Sequence, residues 1–328
     1  MKPPTDGARR RGLDVPRARE TAADGILVVD KPAGVTSHDV VAAMRRLCAT
    51  RKVGHAGTLD PMATGVLLIG VGKATRLLRF LTGADKDYRT TMVLGASRDS
   101  DDADGELTAT SGLASLALPD LEAAMAKQRG NIMQVPATVS AIKVGGKRAH
   151  ALHREGQDVK LTARPVRVDC FQMLAPMRAA ALDTSDGQVP VVEVDAQVTC
   201  SAGTYVRALA RDVGQELGCG AYLKALQRTR VGQWDLGEAK TVGNLVAQVE
   251  ETGKVTPIPL TQVCSKLFHV WQVDQEQARR LANGNTHGLD VPAVEGFVAA
   301  HYRDRVVAIL ERRRGAWQPA VVLETDIE

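Results

Sequence analysis

The segment Val53-Gly54-His55-Ala56-Gly57-Thr58-Leu59-Asp60-Pro61-Met62-Ala63-Thr64-Gly65 constrains this chain more than any other. Pro61 disfavours the helical region for the residue before it, so Asp60 is driven to an extended or turn backbone. Gly54 and Gly57 before it allow tight geometry or the close approach of a ligand, and Gly65 follows. The outcome is a carboxylate held on a stiff, glycine-flanked loop, as a catalytic acid, base or nucleophile requires. An ordinary Asx-Pro turn has the same signature, and these residues alone do not separate the two. No second carboxylate at a fixed spacing suggests a glycosidase-type pair. His55 has no HxxxH or HExxH companion that would point to a metal.

The surrounding pattern sets this loop among mixed elements. Gly25 to Asp30 reads as a buried strand stopped by Pro32. Thr36-Ser37-His38-Asp39 fits a capping box, with Val40, Val41, Met44 and Leu47 following at helical spacing. A strand is expected from Ala63, a short helix over Lys73 to Leu81 closed by Gly83, and a strand over Tyr88 to Leu94. Further on come a helix at Pro119 to Gln128, a hairpin turn at Gly145-Gly146 and a short helix at Arg148 to Glu155. Strands follow at Arg167 to Leu174 and Val189 to Cys200. Val206, Leu209, Ala210, Val213 and Leu217 then mark a helix ending at Gly218. Strands and helices that do not alternate regularly suggest an α+β fold.

At 328 residues the chain is one large domain or two unequal ones. The pattern breaks near Gly253, Pro257 and Pro259, and a compact β-rich module follows, with a helix at Val273 to Ala282 and strands at Arg305 to Leu310 and Ala316 to Leu323. Residues 1–24, rich in proline, glycine and arginine, read as a mobile basic arm. The longest apolar run, Gly65 to Val71, falls far short of the ~20 residues that cross a bilayer, and no secretory signal pattern opens the chain. A cytoplasmic protein is expected. Five scattered cysteines without a CxxC pair read as free buried thiols.

The net charge of +4 is mild, but cations cluster at Arg9 to Arg11, Arg45-Arg46, Arg228 with Arg230, and Arg312 to Arg314. They face a polyanion or are merely solvated. The acidic stretch Asp99 to Glu106 fails the calcium-loop spacing, since Ser100 and Ser111 would hold its first and twelfth positions. It reads as a solvated polar turn. Aromatic residues make up only 3% of the chain, so each tyrosine is worth locating.

Gly54-His55-Ala56-Gly57-Thr58-Leu59-Asp60-Pro61, continuing Ala63-Thr64-Gly65-Val66-Leu67, resembles the catalytic motif of the TruB family of tRNA pseudouridine synthases. Val29-Asp30-Lys31-Pro32-Ala33-Gly34-Val35-Thr36-Ser37, Lys86-Asp87-Tyr88, Asp101-Asp102-Ala103-Asp104-Gly105 and Cys200 to Arg207 agree in order and spacing. The resemblance covers roughly residues 25–235 and implies a pseudouridine synthase-type mixed, mainly antiparallel sheet with flanking helices. It implies a catalytic domain over 25–252 and, with weaker patterning, a small PUA-like RNA-contacting domain over 257–328. Asp60 matches the essential aspartate acting on the ribose. Tyr88 matches the tyrosine that stacks on the flipped uracil, and Arg207 the arginine paired with the aspartate. Tyr205 matches a pocket tyrosine, His55 the histidine filling the space the nucleotide vacates, and Leu226 an apolar residue against the base.

The implied activity is isomerisation of a uridine in the T arm (position 55) of tRNA, by a monomer using no guide RNA, metal or cofactor and no membrane. Such an isomerisation gains and loses no atoms. The alternative is a non-catalytic RNA-binding or tRNA-folding protein on the same scaffold. Two expectations follow from geometry. Tyr205 and Arg207 would diverge by roughly 200° in mid-helix, so the helix should start at or just after Arg207, or one side chain should turn away. A sharper reading of the acidic stretch pairs Asp102 with Arg207 when RNA is absent, with Arg207 switching partners on binding.

Overall fold

The computed structural model describes residues 12–137, 143–144, 147–148 and 161–327. The main sheet has twelve strands among the described residues, of which eight matter here: β1 (Gly25–Lys31), β2 (Val53–Ala56), β3 (Thr64–Val71), β4 (Lys86–Leu94), β5 (Gly130–Gln134), β6 (Arg164–Met173), β7 (Gly187–Cys200) and β8 (Ala221–Val231). The order across the sheet is Lys240–Thr241, β1, β3, β8, β4, β7, β6, β5, with β2 added alongside β3. Pairing is mostly antiparallel. The parallel exceptions are β1 with Lys240–Thr241 and a short contact of β8 with β3, where Gln227 faces Thr64 and Arg228 faces Gly65. The expected α+β sheet with flanking helices is therefore present.

Register brings distant motifs together. In the antiparallel pair of β4 and β8, Tyr88 faces Arg228 and Thr90 faces Leu226, with register shifts on either side of those two pairs. Such bulges re-aim side chains, and they are common beside active sites. On one face, Met92, Val194, Val198 and Leu223 pack under α2 (Val206–Glu216), whose Leu209, Ala210 and Val213 are fully buried. On the part formed by β1 and β3, Leu27, Val29, Leu67 and Ile69 meet α1 (Ser37–Leu47) and the helix Val242–Thr252. The capping box at the start of α1 is present: Asp39 N donates to Thr36 Oγ1 at 3.1 Å and Thr36 N to Asp39 Oδ2 at 2.8 Å. Helix Val242–Thr252 was not legible because its box uses Asn244 and it buries only Leu245 and Val249.

The described part of the expected arm is packed. Val15, Ala18 and Ala22 are buried against α1, Ala18 N donates to Arg46 O at 3.1 Å, and Arg46 Nε donates to Val15 O at 2.7 Å. Sparse, aperiodic small residues in extended chain hide such burial. Arg9 to Arg11, the turn at Gly145-Gly146 and most of the helix expected at Arg148 to Glu155 lie outside the described residues.

The C-terminal residues form a four-stranded sheet, β9 (His269–Gln272), β10 (Phe297–Tyr302), β11 (Arg305–Arg313) and β12 (Ala316–Val322), with helix α3 (Gln275–Ala282). Its Ala299, Ile309 and Leu323 share a core with Ile26, Leu68 and Leu77 of the main body. Three of the four phenylalanines meet at this junction, Phe80 lying 5.0 Å from Phe268 and 4.8 Å from Phe297, edge to face. No helix among the described residues is long and apolar enough to cross a membrane.

Candidate active site

The loop after β2 is held at every carbonyl from Gly57 to Pro61. Arg228 donates from Nη2 to Gly57 O at 2.9 Å and from Nη1 to Thr58 O at 3.3 Å. Ser37 Oγ donates to Leu59 O at 3.1 Å while accepting from Leu59 N at 2.9 Å. Ala63 N donates to Asp60 O at 3.1 Å, and Gly34 N to Pro61 O at 2.9 Å. Lys31 Nζ reaches Pro61 O at 3.2 Å. Gly65 is required by packing and conformation together: its φ is +102°, and a Cβ there would lie 2.2 Å from Arg228 O.

Asp60 projects from this loop onto Arg207. Arg207 Nε lies 2.9 Å from Asp60 Oδ2, and Nη2 donates to Oδ1 at 3.1 Å, a two-point pairing of planar fork and carboxylate. The guanidinium side chain is 4% exposed and the carboxylate side chain 35%, so the arginine is interior and the aspartate faces an opening. Arg207 Nη1 also donates to Asp102 Oδ2 at 2.9 Å and to Ser100 O at 2.7 Å. The reading of residues 99–106 as a solvated turn is thus wrong for Asp101 and Asp102, both buried. The pairing of Asp102 with Arg207 is present, but no exchange of partners is needed, because different nitrogens of one guanidinium serve the two aspartates. Ser100 Oγ at 2.7 Å and Asp104 N at 3.1 Å complete the partners of Asp102 Oδ1.

Burial and several charges act on Asp60. Burial is the largest influence and pushes its carboxyl above the usual range. Arg207 opposes this most strongly, Asp102 adds to it, and Lys31 helps Arg207. Lys31 is itself fully buried, and burial brings its ammonium down to about 8 although Asp60 favours the charged form.

Tyr88 and Leu226 lie in the buried cluster that includes Leu59, the residue before Asp60. Burial pushes the Tyr88 hydroxyl up to about 12, with Arg228 as the largest opposing influence. His55, on β2, meets His38 of α1 edge to face at 5.4 Å, and burial lowers its pKa. Burial thus disfavours its charged form.

Helix α2 begins at Val206. Tyr205 is its N-cap in extended conformation (φ −100°, ψ 103°), with Arg207 in the first turn. The helix thus starts one residue before the expected position, with Arg207 inside it and Tyr205 outside it. The buried Gln134, at the end of β5, holds Tyr205 in this extended conformation: its Oε1 accepts from Tyr205 N at 2.9 Å and its Nε2 donates to Tyr205 O at 3.1 Å. A side-chain amide thus acts as a short strand partner for one residue. Sequence reasoning missed Gln134, Ser37 and the inward aim of Lys31 and Arg228. Arg228 is 1% exposed and Arg230 pairs with Asp87 at 2.6 Å, so these two are not an outward basic cluster. No metal-ligating group of three or more side chains occurs among the described residues.

Comparison with known proteins places this arrangement. Residues 45–206 match the TruB family pseudouridylate synthase N-terminal domain, and residues 207–262 match the tRNA pseudouridylate synthase B C-terminal domain. The tRNA pseudouridine synthase B of Mycobacterium tuberculosis (strain H37Rv) is 43% identical over 300 residues, spanning 91% of this chain and 95% of its own. The chain belongs to the TruB family. Its TruB relative in Thermobifida fusca is 46% identical over 92% of this chain and 98% of its own, and that in Cutibacterium acnes 50% over 83% and 88%. The two TruB family matches meet between Val206 and Arg207, so the Asp60–Arg207 pair joins them. The solved Cbf5-Nop10-Gar1 complex shares the fold, with a TM-score of 0.64 and 24% identity over 92% of this chain and 86% of that one. An archaeal box H/ACA sRNP Nop10-Cbf5 complex does so with a TM-score of 0.62 and 23% identity over 92% and 87%.

Proposed function

We propose that this chain isomerises a uridine in the T arm of tRNA, at position 55, to pseudouridine, with Asp60 as the group that acts on the ribose. The observation that carries the reading is the half-exposed Asp60 carboxylate gripped at two points by a buried guanidinium, next to Tyr88 and Leu226. Membership of the TruB family and the names of its close relatives support the reaction and the tRNA substrate.

The reaction breaks the bond from C1′ to uracil N1, turns the base, forms a bond from C1′ to C5, and moves the C5 proton to nitrogen. A base must leave the stack to be reached, at a cost of a few kcal/mol. Stacking on the Tyr88 ring returns about 1–3 kcal/mol, with Leu226 closing the apolar side and His55 filling the vacated space. Asp60 works as an anion on the ribose, as nucleophile or as base toward the 2′ hydroxyl. Arg207 favours that anion against the burial that disfavours it. Unstacked loop uridines suit such a site, because RNA duplexes hide base edges in a deep groove. The protein acts as a monomer in the cytoplasm, with no guide RNA, metal or cofactor.

Incubating the protein with an unmodified tRNA transcript tests this reading. One new pseudouridine is expected, in the T loop, and an isolated T stem-loop should be converted as well. Modification confined to another arm would refute the site assignment, and no conversion of any uridine would refute the reaction.

A further inference from the structure

Arg228 is a buried charge for which the reaction outlined above has no use. Its side chain is almost fully enclosed, at 1% exposure, yet the groups it donates to are all neutral: Val66 O at 2.7 Å from Nε, and Thr58 O and Gly57 O from the two terminal nitrogens. An uncompensated guanidinium in an interior is costly unless its donors are satisfied. Here they are satisfied by the two ends of one loop, Gly57-Thr58 before Asp60 and Val66 after it. Cross-strand register sets Arg228 opposite Tyr88 on one side and Gly65 on the other. The loop passes close over it at Gly57. Gly57 has φ +75°, and a Cβ there would meet Arg228 Nη1 at 3.5 Å and Lys86 Cε at 3.3 Å.

We infer that Arg228 is a positioning residue that fixes the Asp60 loop to the strand pair carrying Tyr88, so that a single planar cation sets the distance between the two groups that flank the uridine. This rests on the proposed uridine isomerisation. Arginine suits the task because its donors are fixed in one plane, whereas a lysine ammonium at the same place reaches only part of the set. A misplacement of about 1 Å between reacting groups costs on the order of 100-fold in rate.

The test uses full-length protein carrying Arg228→Lys, with Arg228→Gln as the harsher variant. Two readouts are taken: tRNA binding with single-turnover conversion, and amide hydrogen exchange of residues 57–66 in the free protein. The expected result for Arg228→Lys is a tRNA affinity within about threefold of the parent, conversion slowed at least about 30-fold, and exchange of the loop amides faster by about tenfold while β4 and β7 stay protected. Arg228→Gln, if it folds, should be slower still, with Lys recovering part of the loss. A Lys variant that converts tRNA at the parent rate overturns the proposal, and so does one whose loop exchanges as slowly as the parent's. Exchange needs no substrate. A parent that leaves tRNA uridine unchanged therefore counts against the functional reading alone, while unchanged exchange in Arg228→Lys counts against Arg228 whatever the substrate.

Discussion

Asp60→Asn should bind tRNA with an affinity within about threefold of the parent and convert uridine at least about 10,000-fold more slowly. The asparagine is nearly isosteric and its carbonyl oxygen can still accept from Arg207, so the loop geometry persists. What disappears is the negative charge, and with it both the nucleophile and the base. Stability should suffer little. Arg207 keeps Asp102 and Ser100 O as partners, and loss of one charge-assisted bond at a partly open site costs about 1–2 kcal/mol. Equilibrium binding with single-turnover conversion checks this. A variant that still converts tRNA at near the parent rate would remove Asp60 from the chemistry, whereas a parent that binds tRNA and converts no uridine would favour an RNA-binding or RNA-folding role for the scaffold.

Tyr88 is the second residue whose loss should be severe, and its two functions separate. Tyr88→Phe keeps the ring in the cluster of Leu59 and Leu226 and removes only the hydroxyl. Conversion should slow by about 100- to 10,000-fold, the range of a lost proton-transfer group, with tRNA binding almost unchanged. Tyr88→Leu removes the stacking face as well, which should weaken capture of the extruded base by a further 10- to 100-fold. Burial holds the hydroxyl at about 12, so it is protonated at neutral pH. No phenolate forms in the neutral range, so the Phe variant should show the same ionisations in its pH profile as the parent. Equal rates in the parent and the Phe variant would remove the hydroxyl from the reaction.

The sequence carried local structure well and inward-facing charge poorly. Thr36 and Asp39 announce the start of α1, and the apolar runs of β1 and β3 announce strands that are covered on both faces. Asp60 was legible because Pro61 and the glycines around it leave the backbone few alternatives. Arg228 and Arg230 were not, because a strand sends residues two apart to the same side and only the bulge between them separates their surroundings. One ends among loop carbonyls and the other on Asp87. Gln134 gave no local signal either. Its partner is Tyr205, 71 residues away, and its role exists only once β5 lies beside the start of α2. Asp101 and Asp102 look like solvent-facing residues in any acidic stretch, until Arg211 and Arg207 are found packed against them.

The pairing of Asp60 with Arg207 is the centre of this account, and the pH dependence of single-turnover conversion in Arg207→Gln tests it most directly. The reaction needs the Asp60 anion, so the rate should rise with pH through the carboxyl pKa and then level. In the parent, burial raises that pKa and Arg207 restrains it. Without the guanidinium, Asp102 continues to raise the Asp60 carboxyl and only Lys31 is left to oppose it. The acid limb should therefore move to higher pH by at least about one unit, with the Gln variant approaching its plateau only in more alkaline solution. Superimposable acid limbs, with the variant merely slower at every pH, would contradict the claim that this arginine keeps the aspartate charged.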